Sequence, residues 1–207
     1  MPTDWEGIWG KAEGAERPPW DLGGTTPAVA EFLRENPTPL GKSVLVPGCG
    51  TGYDVVAFAK AGYEHVVGLD ISPTSTKAAR EHAADKDAPA AHFETADFFT
   101  YSRQVDLLFD YTFACAIDPS IRDAWAAQLA NLVRPGGHAL VMMYPLRPLD
   151  NEGPPFAWSV EQYCHYLEPN FSPVFIKECA GEGRRKGFQL LSLWRRRSPP
   201  QPVESDL

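Results

Sequence analysis

The sequence predicts an α/β fold with a doubly wound, mostly parallel sheet of seven strands, an antiparallel edge strand and an N-terminal helical lid. Three observations support this prediction. Short apolar segments alternate with amphipathic segments from residue 43 onward, as in strands that are connected by helices. A glycine-rich loop follows the first of these strands. Only a short turn at 181–187 separates the last two strands, which indicates an antiparallel hairpin at the edge of the sheet.

The first forty residues are expected to be irregular apart from one helix. That helix begins at Thr26-Pro27, because proline is favoured at the first helical position, and it ends at the prolines of 36–39. Beyond it, several short apolar segments show no helical periodicity, which predicts strands. These predicted strands cover 43–47, 65–69, 92–95, 105–111, 138–143, 171–178 and 188–194.

Helices are predicted between those strands. Gly62 closes the helix over 53–61. Ser72 and Pro73 are an N-cap and a first helical residue, so the next helix runs from there to about residue 84. Pro119 opens a helix that the Pro-Gly-Gly at 135–137 should end, and a last helix covers 159–167.

The size and charge of the chain restrict its function. A chain of 207 residues fits a single domain, divided into a lid segment (1–40), a sheet-forming core (41–197) and a flexible polar tail (198–207). The formal net charge of −8 argues against a nucleic-acid partner. No apolar run approaches the roughly 20 residues that span a bilayer, and the N-terminal residues lack the basic and apolar regions of a secretory signal. We therefore expect a cytoplasmic protein without a membrane partner, as a monomer or a weak dimer.

The cysteines, at 49, 115, 164 and 179, are scattered without a CxxC pair. This spacing argues against a zinc site and against a disulfide framework. We expect four reduced thiols and no bound metal.

A glycine loop at 48–52 carries the sharpest local motif. It reads Gly-Cys-Gly-Thr-Gly and joins a strand to a helix, a place where glycine lets the backbone approach a ligand closely. The spacing is GxGxG, whereas a dinucleotide fingerprint requires GxGxxG, and the third glycine that packs helix on strand is expected to be missing. The ending of a phosphate-binding P-loop is absent as well.

Acidic residues follow at the ends of the next two strands. Asp70 lies twenty residues beyond Gly50, where a carboxylate accepts hydrogen bonds from both ribose hydroxyls of a nucleoside. The following strand leads into Ala96-Asp97-Phe98, an acid and an aromatic that suit a purine. The three features together predict a nucleoside ligand at the carboxyl edge of the sheet.

These residues resemble the first three cofactor motifs of class I S-adenosylmethionine-dependent methyltransferases. The resemblance implies a Rossmann-like fold, S-adenosylmethionine as cofactor and S-adenosylhomocysteine as product. A narrower resemblance lies in Trp5-Glu-Gly-Ile-Trp9, in 19–23, in 109–122, in 152–156 and in 185–187. These segments are similar to the thiopurine methyltransferase superfamily, and within it to the thiol and halide methyltransferases.

The resemblance also implies which residues form the site. The chemistry of methyl transfer adds three catalytic candidates: Tyr111 for its hydroxyl after the fourth strand, Asp118 as a base and Arg122 as a cation for an anionic substrate. Cofactor contacts are implied for a set that unites the N-terminal tryptophans, the glycine loop and the strand ends: Trp5, Trp9, Trp20, Gly48, Cys49, Gly50, Gly52, Asp70, Ile71, Ala96, Asp97, Phe98 and Tyr111.

The implied reaction transfers a methyl group to a thiol, thiocyanate or halide by in-line displacement, which depends mainly on alignment. A soft anion needs no proton removed, and no Ser/His/Asp set is evident. Exclusion of water matters more, because it strips hydration from the anion. A lid rich in tryptophan suits that task, and tryptophan faces attract a sulfonium cation.

Several alternatives stay open. Trp5 and Trp9, four residues apart, share a helix face and are equally suited to docking that helix on the core. Tyr111 fits a buried tyrosine with a satisfied hydroxyl, and Asp118 fits a helix N-cap. A neutral acceptor would need a base such as Asp118 or Glu152.

Further cationic or aromatic candidates for an anionic substrate are Arg122, Tyr144, Arg147 and Arg185, each of which also fits a surface or packing role. The competing functions are an O- or N-methyltransferase of secondary metabolism and a cofactor-binding protein without catalysis.

Overall fold

A computed structural model describes residues 3–12, 17–18, 20–150, 152–181 and 183–198 of the chain. The predicted flexible tail lies outside the described residues from 199 onward. Among the described residues, no helix is long and apolar enough to cross a membrane. No cluster of potential metal ligands occurs in that same part of the chain.

The core is a single sheet of seven strands, as predicted. The strands are β1 (Ser43–Pro47), β2 (His65–Asp70), β3 (Ala91–Thr95), β4 (Val105–Asp110), β5 (Val133–Met143), β6 (Phe171–Glu178) and β7 (Leu190–Arg196). The helices are α1 (Trp5–Ala12), α2 (Pro27–Glu35), α3 (Tyr53–Lys60), α4 (Pro73–Asp85), α5 (Arg122–Leu132) and α6 (Val160–Leu167).

The strand order is β3-β2-β1-β4-β5-β7-β6. Strands β1 to β5 run parallel to one another. Strand β7 runs antiparallel to both of its neighbours, β5 and β6. The predicted antiparallel hairpin is confirmed, with β6 at the edge and β7 one place inside it. The order of the chain reverses between β1 and β4, and ligands of doubly wound sheets bind at the carboxyl ends of strands at such a point.

Two apolar layers cover the sheet, and the fully buried tryptophans belong to one of them. Trp125, Trp158 and Trp194 lie in the layer that α5 and α6 close. Trp158 stacks on Tyr163 with a centroid distance of 4.2 Å. Phe32 and Phe58 lie in the opposite layer, beneath α2 and α3. These buried aromatic side chains fix the two layers against the sheet, since large rings dominate core burial.

Helix α1 confirms the predicted N-terminal helical lid, within a segment that the sequence otherwise predicts to be irregular. Helix α1 starts after Asp4, whose Oδ1 accepts a hydrogen bond of 2.9 Å from the N–H of Gly7. Such a cap satisfies a backbone donor that the first turn leaves free. The irregular segment is predicted from Pro18, Pro19, Gly23 and Gly24, which lie after this helix in the sequence.

The Pro-Gly-Gly at 135–137 does not end a helix, which corrects the predicted start of the fifth strand. Helix α5 already ends at Leu132, and β5 begins at Val133. The pairing of β5 with β4 shifts register between Val133 and His138. The proline and glycines occupy this irregularity, because proline and glycine are tolerated at bulges inside strands.

Candidate active site

A cavity of about 700 Å³ opens at the carboxyl ends of β1, β2, β3 and β4. Its size is within the range of about 300–1,000 Å³ that is usual for small-molecule sites. Except for Gly52, every residue that the sequence assigns to the cofactor lines this cavity. The structure therefore brings together the glycine loop, the strand-end acids and the N-terminal tryptophans.

The glycine loop adopts a backbone conformation that residues with a side chain rarely take. Gly48 has φ of +58°, and a Cβ added there would lie 2.8 Å from the ring of Phe113. Gly52 has φ of +79°, and its added Cβ would lie 2.7 Å from Phe93 and 3.0 Å from the Cβ of Ala79. Gly52 therefore packs β3 and α4 together and does not line the cavity. This finding corrects two predictions, that Gly52 contacts the ligand and that the packing glycine is missing.

Asp70 ends β2 with its carboxylate held toward the glycine loop. Its Oδ2 accepts a hydrogen bond of 3.1 Å from the N–H of Gly50, and its Oδ1 accepts one of 3.0 Å from the N–H of Ser72. Burial raises the pKa of Asp70, although these hydrogen bonds oppose the rise. Each carboxylate oxygen keeps a further lone pair. The side chain is thus fixed in one orientation with acceptor capacity left for two hydroxyls.

The lid tryptophans form one aromatic cluster over the cavity. Trp20 meets Trp5 at 5.7 Å and Trp9 at 6.4 Å between centroids, both edge to face. Trp9 is buried, and all three side chains line the cavity. Trp9 therefore both docks α1 on the core and lines the cavity.

Glu6 fastens this lid to the core. Its carboxylate accepts a hydrogen bond of 2.7 Å from the hydroxyl of Thr74 and another from the hydroxyl of Ser72. Both partners lie at the start of α4, where the helix dipole favours an anion. These hydrogen bonds lower the pKa of Glu6. The lid helix is thereby joined to the segment that follows Asp70.

Arg185 is the main cation of the cavity wall and is only 7% exposed. Its guanidinium donates hydrogen bonds to the hydroxyl of Tyr111 and to the carbonyl of Trp20. It lies 5.5 Å from the ring centroid of Tyr144. Among the described residues, no carboxylate forms an ion pair with it.

Tyr111 follows β4 and faces this arginine. Burial raises the pKa of Tyr111 to about 12, against the charge of Arg185, which lowers it. The phenol is therefore neutral, and it accepts a hydrogen bond from Arg185. The next residue, Thr112, has φ of +60°, and strained backbone of this kind often lies at functional sites.

Two of the predicted catalytic residues lie outside the cavity. Asp118 is exposed and caps a short 3₁₀ turn, with its Oδ1 2.8 Å from the N–H of Ser120. Arg122 is 4% exposed, places its guanidinium 3.8 Å from the ring centroid of Trp158 and donates to the carbonyl of Ala157 at 2.9 Å. Both side chains are occupied in local structure, so we withdraw a catalytic role for them.

The other open candidates divide in the same way. Arg147 bonds Asp150 at 2.9 Å and the carbonyls of Glu152 and Pro155, so it holds the loop after β5. Glu152 does not line the cavity, whereas Tyr144 does.

Sequence reasoning missed two carboxylates of the cavity wall, Asp21 and Asp54, of which Asp54 has the more unusual surroundings. Asp54 lies in the first turn of α3, two residues after the glycine loop. Its Oδ1 accepts a hydrogen bond of 2.8 Å from the N–H of Thr26, and its Oδ2 accepts another of 2.8 Å from the Thr26 hydroxyl. An acid in a first helical turn is common enough to be assigned to the helix dipole, and for that reason it attracted no attention in the sequence.

Comparison with known proteins decides the family. A model of the family described as thiopurine S-methyltransferase matches residues 2–179, most of the 207-residue chain. The chain belongs to the thiopurine S-methyltransferase family.

Several related proteins align with most of this chain. The chain is 39% identical over 203 residues to the probable thiol methyltransferase 2 of Arabidopsis thaliana, covering 96% of this chain and 88% of that protein. It is 40% identical over 196 residues to the thiocyanate methyltransferase 1 of Brassica oleracea, covering 92% and 85%. The thiopurine S-methyltransferase of Vibrio atlanticus is 26% identical and covers 75% and 76%.

Solved structures share the fold of this family member. A structure from a study of the conversion of a disulfide bond into a thioacetal group in echinomycin biosynthesis superimposes with a TM-score of 0.77 at 25% identity, covering 95% of this chain and 93% of that one. The magnesium protoporphyrin IX methyltransferase of Synechocystis PCC 6803, solved with S-adenosylmethionine, gives 0.65 at 19%, covering 81% and 76%. The protein is a small-molecule S-methyltransferase whose cofactor is S-adenosylmethionine.

Proposed function

We propose that this family member methylates a small soft anion, namely a thiolate, thiocyanate or a halide, which it holds beside Arg185 and Tyr111. S-adenosylmethionine supplies the methyl group on a sulfonium sulfur, from which an aligned acceptor takes it by in-line displacement. The residues of the chain bind and orient the two partners and keep water away from them.

The cofactor fits along the glycine loop. Asp70 would accept hydrogen bonds from ribose hydroxyls, because both of its oxygens keep acceptor capacity after bonding Gly50 and Ser72. Phe98 would pack against the base and Asp97 would bond it, since both line the cavity at the end of β3. The left-handed glycines leave the loop free of side chains that would fill this space.

Arg185 carries the argument for an anionic acceptor. Burying a cation costs free energy unless it is paired and hydrogen bonded. Arg185 is buried, and its hydrogen bonds go to neutral oxygens, those of Tyr111 and Trp20. Among the described residues, no carboxylate lies within ion-pair distance of Arg185. An anion in the cavity would supply a directly bonded countercharge, and a neutral acceptor would not.

The lid supports the same acceptor class. Trp20 belongs to the aromatic cluster and also gives its carbonyl to Arg185, so the lid and the cationic group are joined. Aromatic rings above the site exclude water, and loss of hydration strengthens electrostatic interactions with a small anion. Their faces would also attract the sulfonium.

The names of the relatives agree with sulfur acceptors, because thiol and thiocyanate methyltransferases are about 39% identical to this chain. Halides extend that list on chemical grounds, as soft anions of similar size. The cytoplasmic location and the monomeric or weakly dimeric state stay predictions of the sequence.

The Arg185→Met variant tests the role of the cation. We expect its kcat/KM for thiocyanate to fall by roughly 10–100-fold, because hydrogen bonds to charged groups contribute about 1.5–3 kcal/mol. Arg185→Lys keeps the charge and should recover part of the loss. Steady-state kinetics with each variant gives the comparison, and calorimetric titration with S-adenosylhomocysteine checks that the cofactor site is intact. Equal kcat/KM in Arg185→Met and the wild type would refute an anion site at Arg185.

A further inference from the structure

The cavity lining contains four carboxyl groups and no histidine among the described residues. Three of the carboxylates have evident tasks elsewhere. Asp70 orients toward the ribose position, Asp97 is exposed and accepts the N–H of Phe99 at 2.9 Å, and Asp21 binds the hydroxyl of Thr51 at 2.9 Å. The remaining carboxylate is Asp54.

Asp54 lines the same cavity as Arg185 and Tyr111. The positive charge of Arg185 lowers the pKa of Asp54, and the negative charge of Asp54 raises the pKa of Tyr111. Arg185, Tyr111 and Asp54 come from the turn before β7, the end of β4 and the first turn of α3. An acid, a buried guanidinium and a phenol therefore share one region of the wall.

The chemistry of the acceptors makes this arrangement informative. Thiocyanate and halides are already anions, whereas an ordinary thiol has a pKa of about 8.5 and is mostly protonated at neutral pH. A protonated thiol is a poor nucleophile, because the thiolate is the reactive form. Methylation of such thiols needs a base that the other acceptors do not need.

We propose that Asp54 is a catalytic base for protonated thiol acceptors. The S–H bond breaks, its proton forms an O–H bond on the Asp54 carboxylate, and the electron pair stays on sulfur. The resulting thiolate lies beside the guanidinium of Arg185, which stabilises its charge. Asp54 releases the proton to solvent after product leaves.

The position of Asp54 suits this step. Burial raises its pKa to about 6, against hydrogen bonds from Thr26 and the charge of Arg185. The group is thus ionised at neutral pH and still closer to the working pH than an ordinary carboxylate, which favours general base catalysis. Thr26 is 2% exposed and fixes both carboxylate oxygens, so the base is held in one orientation.

The test is the ratio of two kcat/KM values, one for a thiol that is protonated at pH 7 and one for thiocyanate. This inference rests on the proposed function, and thiocyanate turnover by the wild type tests that function separately. In Asp54→Asn we expect the thiol-to-thiocyanate ratio to fall by about 100-fold or more, the usual size of a general-base effect. The asparagine keeps an oxygen for the N–H of Thr26, so the anchor between α2 and α3 persists.

Three further measurements separate a base from an anchor. Thr26→Val removes one of the hydrogen bonds that orient Asp54 and keeps the carboxylate, so it should lower the ratio far less than Asp54→Asn does. The loss of kcat/KM for the thiol in Asp54→Asn, which we call the deficit, should shrink as the pH rises past the pKa of the thiol. At such a pH the acceptor already binds as a thiolate. The deficit should also be small for an acidic aryl thiol that is ionised at pH 7. Titration with S-adenosylhomocysteine should show cofactor binding by both variants.

A fall of equal size for thiol and thiocyanate in Asp54→Asn would overturn the proposal and leave Asp54 a structural anchor. The same holds for a deficit that is independent of pH. Failure of the wild type to methylate thiocyanate and acidic thiols would instead contradict the proposed function itself.

Discussion

Single residues at the ends of the parallel strands determine what this site binds. Asp70 combines burial, two backbone hydrogen bonds and a position beside the glycine loop. Arg185, one of the cationic candidates that the sequence offers for an anionic substrate, brings a buried positive charge to the same cavity. In the proposed function, the acid binds the nucleoside part of the cofactor and the cation binds the anionic acceptor.

Replacement of Asp70 tests the nucleoside side. Asp70→Ala should weaken binding of S-adenosylhomocysteine by at least about 10-fold, because buried ribose hydroxyls would lose their acceptor. Isothermal titration gives the dissociation constants. Asp97→Ala is the matched control, and its loss should be smaller since Asp97 is exposed. Unchanged affinity in Asp70→Ala would remove the ribose assignment.

The site residues that the sequence predicts well are those with a fixed place in the topology. Gly48 and Asp70 follow strands directly, and neighbouring parallel strands bring their ends together. Asp118 and Arg122 lie outside the cavity, because the directions of their side chains depend on contacts that the sequence pattern does not show. Asp118 caps a turn at Ser120, and Arg122 packs on Trp158. Asp54 was missed because a first-turn acid has an ordinary explanation.

Among the elements, helix α1 and its contact with α4 deserve a test of their own, since they close the cavity. Glu6→Ala removes the hydrogen bonds to Ser72 and Thr74, so we expect S-adenosylhomocysteine to dissociate several-fold faster. Stopped-flow tryptophan fluorescence measures the rate. Glu6→Gln keeps one acceptor oxygen and should lie between.

The hydrogen bonds of Glu6 to Ser72 and Thr74, called here the Glu6 latch, should weaken in acid. Hydrogen bonds lower the pKa of Glu6 from its ordinary value of 4.5, so its stabilising effect is fully present above pH 4.5 and is lost as the pH falls through the lower, folded value. A dissociation rate that is the same in the wild type and Glu6→Ala above pH 5 would show that the latch does not hold the lid.

Element boundaries were less predictable than element types. All seven strands occur in the predicted order along the chain, because apolar periodicity reports burial. The Pro-Gly-Gly at 135–137 misplaced one boundary, since it occupies an irregularity within β5 rather than a helix end. Helix α1 depends on a cap by Asp4 and on contacts with α4 that are distant in sequence, and a local pattern does not contain those contacts.

At the scale of the whole molecule, the six tryptophans divide into two groups with different tasks. Trp125, Trp158 and Trp194 are fully buried beside the sheet. The other three, in the N-terminal segment, line the cavity. A buried cation, Arg185, lines the same cavity in a chain of net charge −8, and no carboxylate of the described part of the chain forms an ion pair with it. Both features favour a small anion enclosed beneath an aromatic lid.

An acceptor panel with the wild-type protein and S-adenosylmethionine tests this account most directly, with formation of S-adenosylhomocysteine as the readout. The panel pairs thiocyanate, iodide, hydrosulfide and an aryl thiol with neutral phenols and amines of matched size. The account predicts product from the anions and thiols, with much lower kcat/KM for the phenols and amines. Turnover confined to phenols or amines would contradict it and would favour an O- or N-methyltransferase. Binding of the cofactor without turnover of any acceptor in the panel would also contradict it.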